Sequence, residues 1–266
     1  MLFPETDRVI YKNNPLQQVV CQLRFPANPT INLEEPVKLL NRIKDIYPFY
    51  QQRSEINLMT EGMFSQLPKD AAEALFSGAG QSFKIYDFLS SDRKWTVSLN
   101  RAFVALTTVD YREWADFRDR LLNLVHIFED IYSPPFYSRV GLRYQNIIQR
   151  SKLNITRVPW SNLIAPELAG KLASPELELE IEEIFQQILI NLEQFDSQLK
   201  VQHGFGIAQD GTNEKCYVID NDLFVEKNTE SQDVERILTY FNRENGNFFR
   251  SVITDKLENA FESDST

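Results

Sequence analysis

Three arginines are the residues of this chain best placed to bind a ligand. Arg139 and Arg143 lie four apart in the alternating run 137–149, with Gly141 between them. On a strand, residues four apart share a face and stand about 13 Å from one another. Arg24 holds the matching position in an earlier run, 17–25. Planar guanidinium groups suit phosphates and carboxylates. The three therefore predict a surface for an anion or a protein partner, with open space above Gly141. The competing use is pairing with a cross-strand acid such as Asp87.

Other chemistry is less well supplied. Asp220 and Asp222 flank Asn221, share a strand face, and could offer oxygen ligands to a divalent ion. A metal-dependent nuclease or hydrolase would normally bring further acidic or histidine ligands. His203 precedes Gly204-Phe205-Gly206, whose amides could hold an oxyanion. No serine or cysteine stands in a nucleophile turn, and strand packing that needs small residues accounts for the glycines. His126 lies mid-helix between Val125 and Ile127 and reads as structural. Zinc spacing, a Walker loop, a dinucleotide fingerprint and a kinase set are absent. No catalytic residue, metal ligand or cofactor is assigned.

The elements that must carry these residues follow from periodicity. Residues 17–25 alternate, with Val19, Cys21, Leu23 and Phe25 on one side and Arg24 on the other. A helix opens near Pro36 and turns Val37, Leu40, Ile43 and Tyr47 inward. A helical stretch over 69–78 precedes three strands at 82–89, 94–100 and 102–109, which form an antiparallel meander. Asp110 caps the next helix, with Glu113 completing a capping box. Trp114, Phe117, Leu121, Leu124, Phe128 and Ile131 make its apolar stripe.

The order then restarts. It runs through a strand over 137–149, a short helix at 163–172, strands at 184–192, 198–208 and 215–224, and a long helix that Asn245-Gly246 interrupts. Leu23-Arg24-Phe25 matches Leu142-Arg143-Tyr144 in this scheme. The reading is an α+β protein of two repeats, 1–135 and 136–266. Each repeat runs strand, helix, three-strand meander, helix. Joining the two sheets edge to edge covers edges that would invite aggregation. The expected form is a curved sheet with helices on one face, saddle-like by analogy with the TATA-binding protein and without implying its activity.

Composition narrows the class. The chain has 266 residues, 42% hydrophobic, with 19 Phe and 10 Tyr, enough to fill a core. Its net charge of −10 weighs against attraction to nucleic acid through the overall field. Two cysteines, and an N-terminus without a signal-peptide pattern, predict a reducing, cytoplasmic setting. No apolar run approaches the length of a membrane span.

Several segments carry a resemblance. They include Tyr11-Lys12-Asn13-Asn14-Pro15-Leu16, Tyr111-Arg112-Glu113-Trp114 and Arg139-Val140-Gly141-Leu142-Arg143-Tyr144-Gln145-Asn146. Ile164-Ala165-Pro166-Glu167-Leu168 and Phe248-Phe249-Arg250-Ser251-Val252 extend it towards the C-terminus. In collinear order these resemble a sporadically distributed prokaryotic family of about this length, one with no assigned activity. The resemblance implies a bacterial cytoplasmic setting and, from the family's patchy distribution, a link to defence or mobile elements. The combined expectation is a non-enzymatic binding or regulatory protein that uses Arg24, Arg139 and Arg143. A protein partner or an anionic ligand is expected, with nucleic acid a weaker alternative and a homo-oligomer open. A metal-dependent nuclease or hydrolase is the enzymatic alternative.

Overall fold

The computed structural model describes residues 2–33, 36–54, 84–208 and 210–262. The chain runs through strand β1 (Leu16–Arg24), helices α1 (Thr30–Leu33) and α2 (Val37–Ile43), and strands β2 (Phe49–Ser54), β3 (Lys84–Leu89), β4 (Trp95–Leu99) and β5 (Phe103–Thr108). Helix α3 (Trp114–Tyr132) leads to β6 (Arg139–Ile148), then to the short helices α4 (Pro166–Ala169) and α5 (Pro175–Glu180). Strands β7 (Phe185–Asn191), β8 (Gln198–Ile207) and β9 (Lys215–Val225) precede α6 (Ser231–Ser251) and α7 (Asp255–Glu262).

All these strands join one antiparallel sheet, ordered β2-β3-β4-β5-β1-β6-β9-β8-β7. The two opening strands are therefore central neighbours, and each half spreads outward from them. Their register places Cys21 opposite Leu142, Leu23 opposite Val140 and Gln22 opposite Gly141. The fold is α+β, built on one open antiparallel sheet. The halves differ in detail. The first adds β2, and the second fills the space between β6 and β7 with short helical turns.

Alternation decides the faces. Val19, Cys21, Leu23, Val140, Leu142 and Tyr144 are buried against Phe117, Leu121, Phe128, Ile237, Phe241 and Phe248 of the helices. The other face of the sheet is not bare. In the first half it holds a second, smaller buried cluster of Ile85, Phe103 and Ala105. An N-terminal arm straps the last helices. The Phe3 ring lies 5.2 Å from that of Phe248, Thr6 bonds the Asn247 side chain at 3.2 Å, and the Asn13 amide donates to the Phe261 carbonyl at 2.9 Å.

Several local expectations change. The stretch 69–78 lies outside the described residues. β2 was not foreseen, because its sequence FYQQRS lacks a clean alternation. In α2, Leu39 is buried and Val37 is half exposed, so the inward face is rotated by one step. Helix α3 begins at Trp114, and no side chain caps it. Asp110 is drawn instead to Lys94 at 2.8 Å. The helix expected at 163–172 is broken into a 3-10 turn at Trp160–Asn162, α4, and a second 3-10 turn at Gly170–Ala173.

Asn245-Gly246 does not interrupt α6. The buried Asn245 accepts a 2.9 Å bond from Asn221 on the sheet, and this contact offsets the poor helix propensity of the pair. A methyl group on the exposed Gly246 would meet nothing within 4 Å. Gly246→Ala should therefore stabilise the protein by about 1 kcal/mol, the usual mid-helix difference. Thermal denaturation should show a rise in Tm of about 2–4 °C; a fall would mean the helix needs glycine there.

Candidate functional site

The two sets of candidate residues satisfy each other. Arg139 places Nη2 2.9 Å from both carboxylate oxygens of Asp222. Its plane lies over Phe224 at 4.8 Å, and Glu226 and Lys200 complete the group at 3.6 and 3.7 Å. Arg143 forks onto Asp220, with Nε at 2.7 Å from Oδ1 and Nη2 on Oδ2, and Gln145 adds a bond at 3.3 Å. These bonds hold the Arg143 guanidinium charged to a pH above its usual range.

The reason is topological. β6 and β9 are neighbours, with Arg143 opposite Asp222 and Gln145 opposite Asp220, so each arginine reaches an acid diagonally across the ladder. The space expected above Gly141 is filled, because a Cβ there would collide with the Arg139 guanidinium itself. Arg139 is only 12% exposed. Arg24 stands directly opposite Arg139 and is exposed, with Nε bonded to Gln22 at 3.0 Å. Asp87, the acid named as an alternative partner, is taken by Arg53 of β2.

His203 faces the helices and not the solvent. Its Nδ1 lies 2.8 Å from the Tyr217 hydroxyl, within a cluster that includes Trp160 and Phe205. Burial lowers its pKa to about 4. Gly204 has φ +149°, and a Cβ there would strike the Ile184 carbonyl, so the glycine serves close strand approach. The Phe205 amide already donates to that carbonyl at 2.9 Å. Among the described residues, no group of three or more His, Cys, Asp or Glu could hold a metal ion. Cys21 and Cys216 are both buried free thiols.

Two surfaces escaped the sequence reading. The first is strand β7, the last in the sheet. Six of its seven residues are exposed, and Ile190 is half buried. Phe185 is 60% and Leu189 55% exposed on one face, and Ile188 is exposed on the other. Leu179, just before the strand, is 85% exposed. The strand itself carries no charge and no proline, the usual protections of an edge. Exposed Glu180, Glu182 and Glu183 precede it, and exposed Glu193 follows.

The second is an open groove of about 490 Å³ beside α6. Arg8, Arg236 and Arg243 line it with Phe195, Thr239 and Tyr240. Arg236 lies over the Phe195 ring at 5.2 Å and Arg243 over the Tyr240 ring at 5.3 Å. The two rings meet edge-on at 5.5 Å. Phe195 and Asp196 have φ +64° and +52°, and the Ser197 amide donates to the Gln194 carbonyl at 3.2 Å. Two successive left-handed residues make the tight hairpin turn that normally takes Asn-Gly. A phenylalanine held there costs about 1–3 kcal/mol, and its ring becomes the groove wall.

No family model matches the chain, and no curated protein matches it in sequence.

Two predictions test the polar interior. Arg143→Ala strands the buried Asp220 and should cost about 1–3 kcal/mol. Adding Asp220→Asn should recover part of that loss in chemical denaturation; strict additivity would deny the coupling. His203 has a folded pKa below its ordinary 6.5. Between about pH 6.5 and 4 the unfolded chain takes up a proton that the folded chain refuses, so stability falls as pH falls through that window. His203→Asn should flatten that slope, as measured by denaturation midpoints at each pH.

Proposed function

We propose that the protein is a binding protein that adds an extended segment of a partner protein to the edge of β7, which pairs with no further strand among the described residues. One observation carries the reading. An uncharged edge strand is exposed on both faces and presents Phe185, Ile188 and Leu189 to solvent. Strand addition uses the edge main-chain groups for affinity and the alternate side chains for selection. An uncharged, apolar edge strand is a ready template for pairing with another chain.

Charge selects the occupant. Glu180, Glu182 and Glu183 at one end and Glu193 at the other favour a segment with an apolar centre and Lys or Arg flanks. A second copy fits less well. Antiparallel self-pairing centred on Ile188 would bring Glu183 opposite Glu193 of the other copy, and like charges directly opposed are destabilising. The ion pairs of Arg139, Arg143, Asp220 and Asp222 brace β6 against β9, one strand inward of the β8–β7 pair that carries the edge. The prokaryotic resemblance supports a bacterial setting, and with it a role as an accessory of a defence or mobile-element system.

The test uses two synthetic peptides with the same alternating Val/Thr centre, one flanked by lysines and one by glutamates. The lysine-flanked peptide should bind in fluorescence anisotropy, more weakly as salt rises. Phe185→Lys/Leu189→Lys should abolish binding while Tm stays within about 2 °C, since both side chains are exposed. Equal binding of the glutamate-flanked peptide would reject the reading. So would a concentration-dependent dimer, by sedimentation, that the double variant abolishes.

A further inference from the structure

The groove beside α6 brings together residues from three distant parts of the chain. Arg8 comes from the N-terminal arm, Phe195 from the β7–β8 turn, and Arg236, Tyr240 and Arg243 from α6. Its volume of about 490 Å³ lies within the range of small-ligand sites. None of its lining residues is a carboxylate, in a chain whose net charge is −10.

The guanidinium groups are held in place. The guanidinium carbons of Arg236 and Arg243 lie over the Phe195 and Tyr240 rings, which hold the cations in place and leave N–H groups as the binding elements. Neighbouring acids use only part of those edges. Asp233 takes Nη2 of Arg236 at 2.9 Å. The buried Glu244 takes Nε and Nη2 of Arg243 at 3.2 and 3.1 Å. Each guanidinium offers five donors, so both keep N–H groups for a ligand. Arg8 is set from behind. The Asn242 amide, with its oxygen towards Arg8, accepts from both Nη1 and Nη2 of the cation and donates to the Tyr144 hydroxyl at 3.0 Å.

The left-handed Phe195 points the same way. A strained bulky residue in a turn that favours Asn-Gly persists where its side chain has a use. Here the ring carries Arg236 and closes the groove against Tyr240. With three arginines and no carboxylate in its lining, the groove is built to recognise negative charge.

We propose that the groove binds a phosphate monoester dianion. Three guanidinium groups lining one groove, each with several N–H donors, suit a ligand with three acceptor oxygens better than a lone carboxylate with two. The source is either a small phosphate ester or a phosphorylated side chain of a protein, and the two are separable.

The experiment titrates the full chain by calorimetry with phenyl phosphate, a phosphoserine peptide, its unphosphorylated counterpart and acetate. Saturable binding is expected for the two phosphate monoesters and neither of the others. Tighter binding of the peptide gives the site a protein ligand; tighter binding of phenyl phosphate gives it a small one. Either ranking supports the proposal. Arg236→Gln should weaken binding by about tenfold or more, with Tm nearly unchanged because Asp233 is solvent-accessible. Arg8→Gln should act alike. Arg243→Gln strands the buried Glu244 and is therefore not the deciding variant. Phe195→Gly should relieve the turn and lose binding together. Phe185→Lys/Leu189→Lys should leave phosphate binding intact, which separates this site from the strand edge. Absence of binding, equal affinity for acetate, or affinity indifferent to both Arg236→Gln and Arg8→Gln would overturn the proposal.

Discussion

The antiparallel ladder between β1 and β6 is the constraint from which the rest of the structure follows. It runs from Arg24 opposite Arg139 to Leu16 opposite Asn146, with one register shift near Leu16. Each strand presents a buried apolar row to the helices, so slipping by one residue would turn Leu23, Leu142 and Tyr144 out of the core. The register is thus fixed by burial, not by a turn. With β6 fixed, β9 can pair only on its far side, and this sets Arg139 and Arg143 beside Asp220 and Asp222.

Beneath that sheet lies a polar seam. Asn221 of β9 meets Asn245 of α6, and Tyr144 of β6 meets Asn242 at 3.0 Å. Side-chain amides at such an interface have few alternative partners, so they fix the rotation of α6 over the sheet more sharply than apolar contacts would. That rotation delivers Arg236, Tyr240 and Arg243 to one flank of the helix. The groove is therefore a consequence of how α6 is keyed to β6 and β9.

Strand existence was legible because alternation is local. Residues 17–25 and 137–149 show it plainly, and the β-branched spacing within 184–192 favours strand over helix. The partners of the arginines were not legible, since a strand face shows which residues project together but not which strand lies alongside. β2 was hidden by its mixed sequence. The turn at Phe195-Asp196 was hidden because its residues contradict the usual turn chemistry. The groove had no local signal at all, being assembled from residues 8, 195 and 236–243. The capping reading at Asp110 failed for the opposite reason. The motif was present, but Lys94 competed for the carboxylate.

The N-terminal strap has a further consequence, for the order in which the molecule is completed on the ribosome. Residues 3–13 seat against Phe248, Asn247, Glu258 and Phe261. Residues 3–13 therefore have no docking place until α6 and α7 have emerged. A nascent chain can pair β1 with β6 well before then, while residues 3–13 stay unseated and the core still lacks its α6 side. Protection of that arm from a protease is thus a built-in marker that α6 and α7 have docked on the sheet.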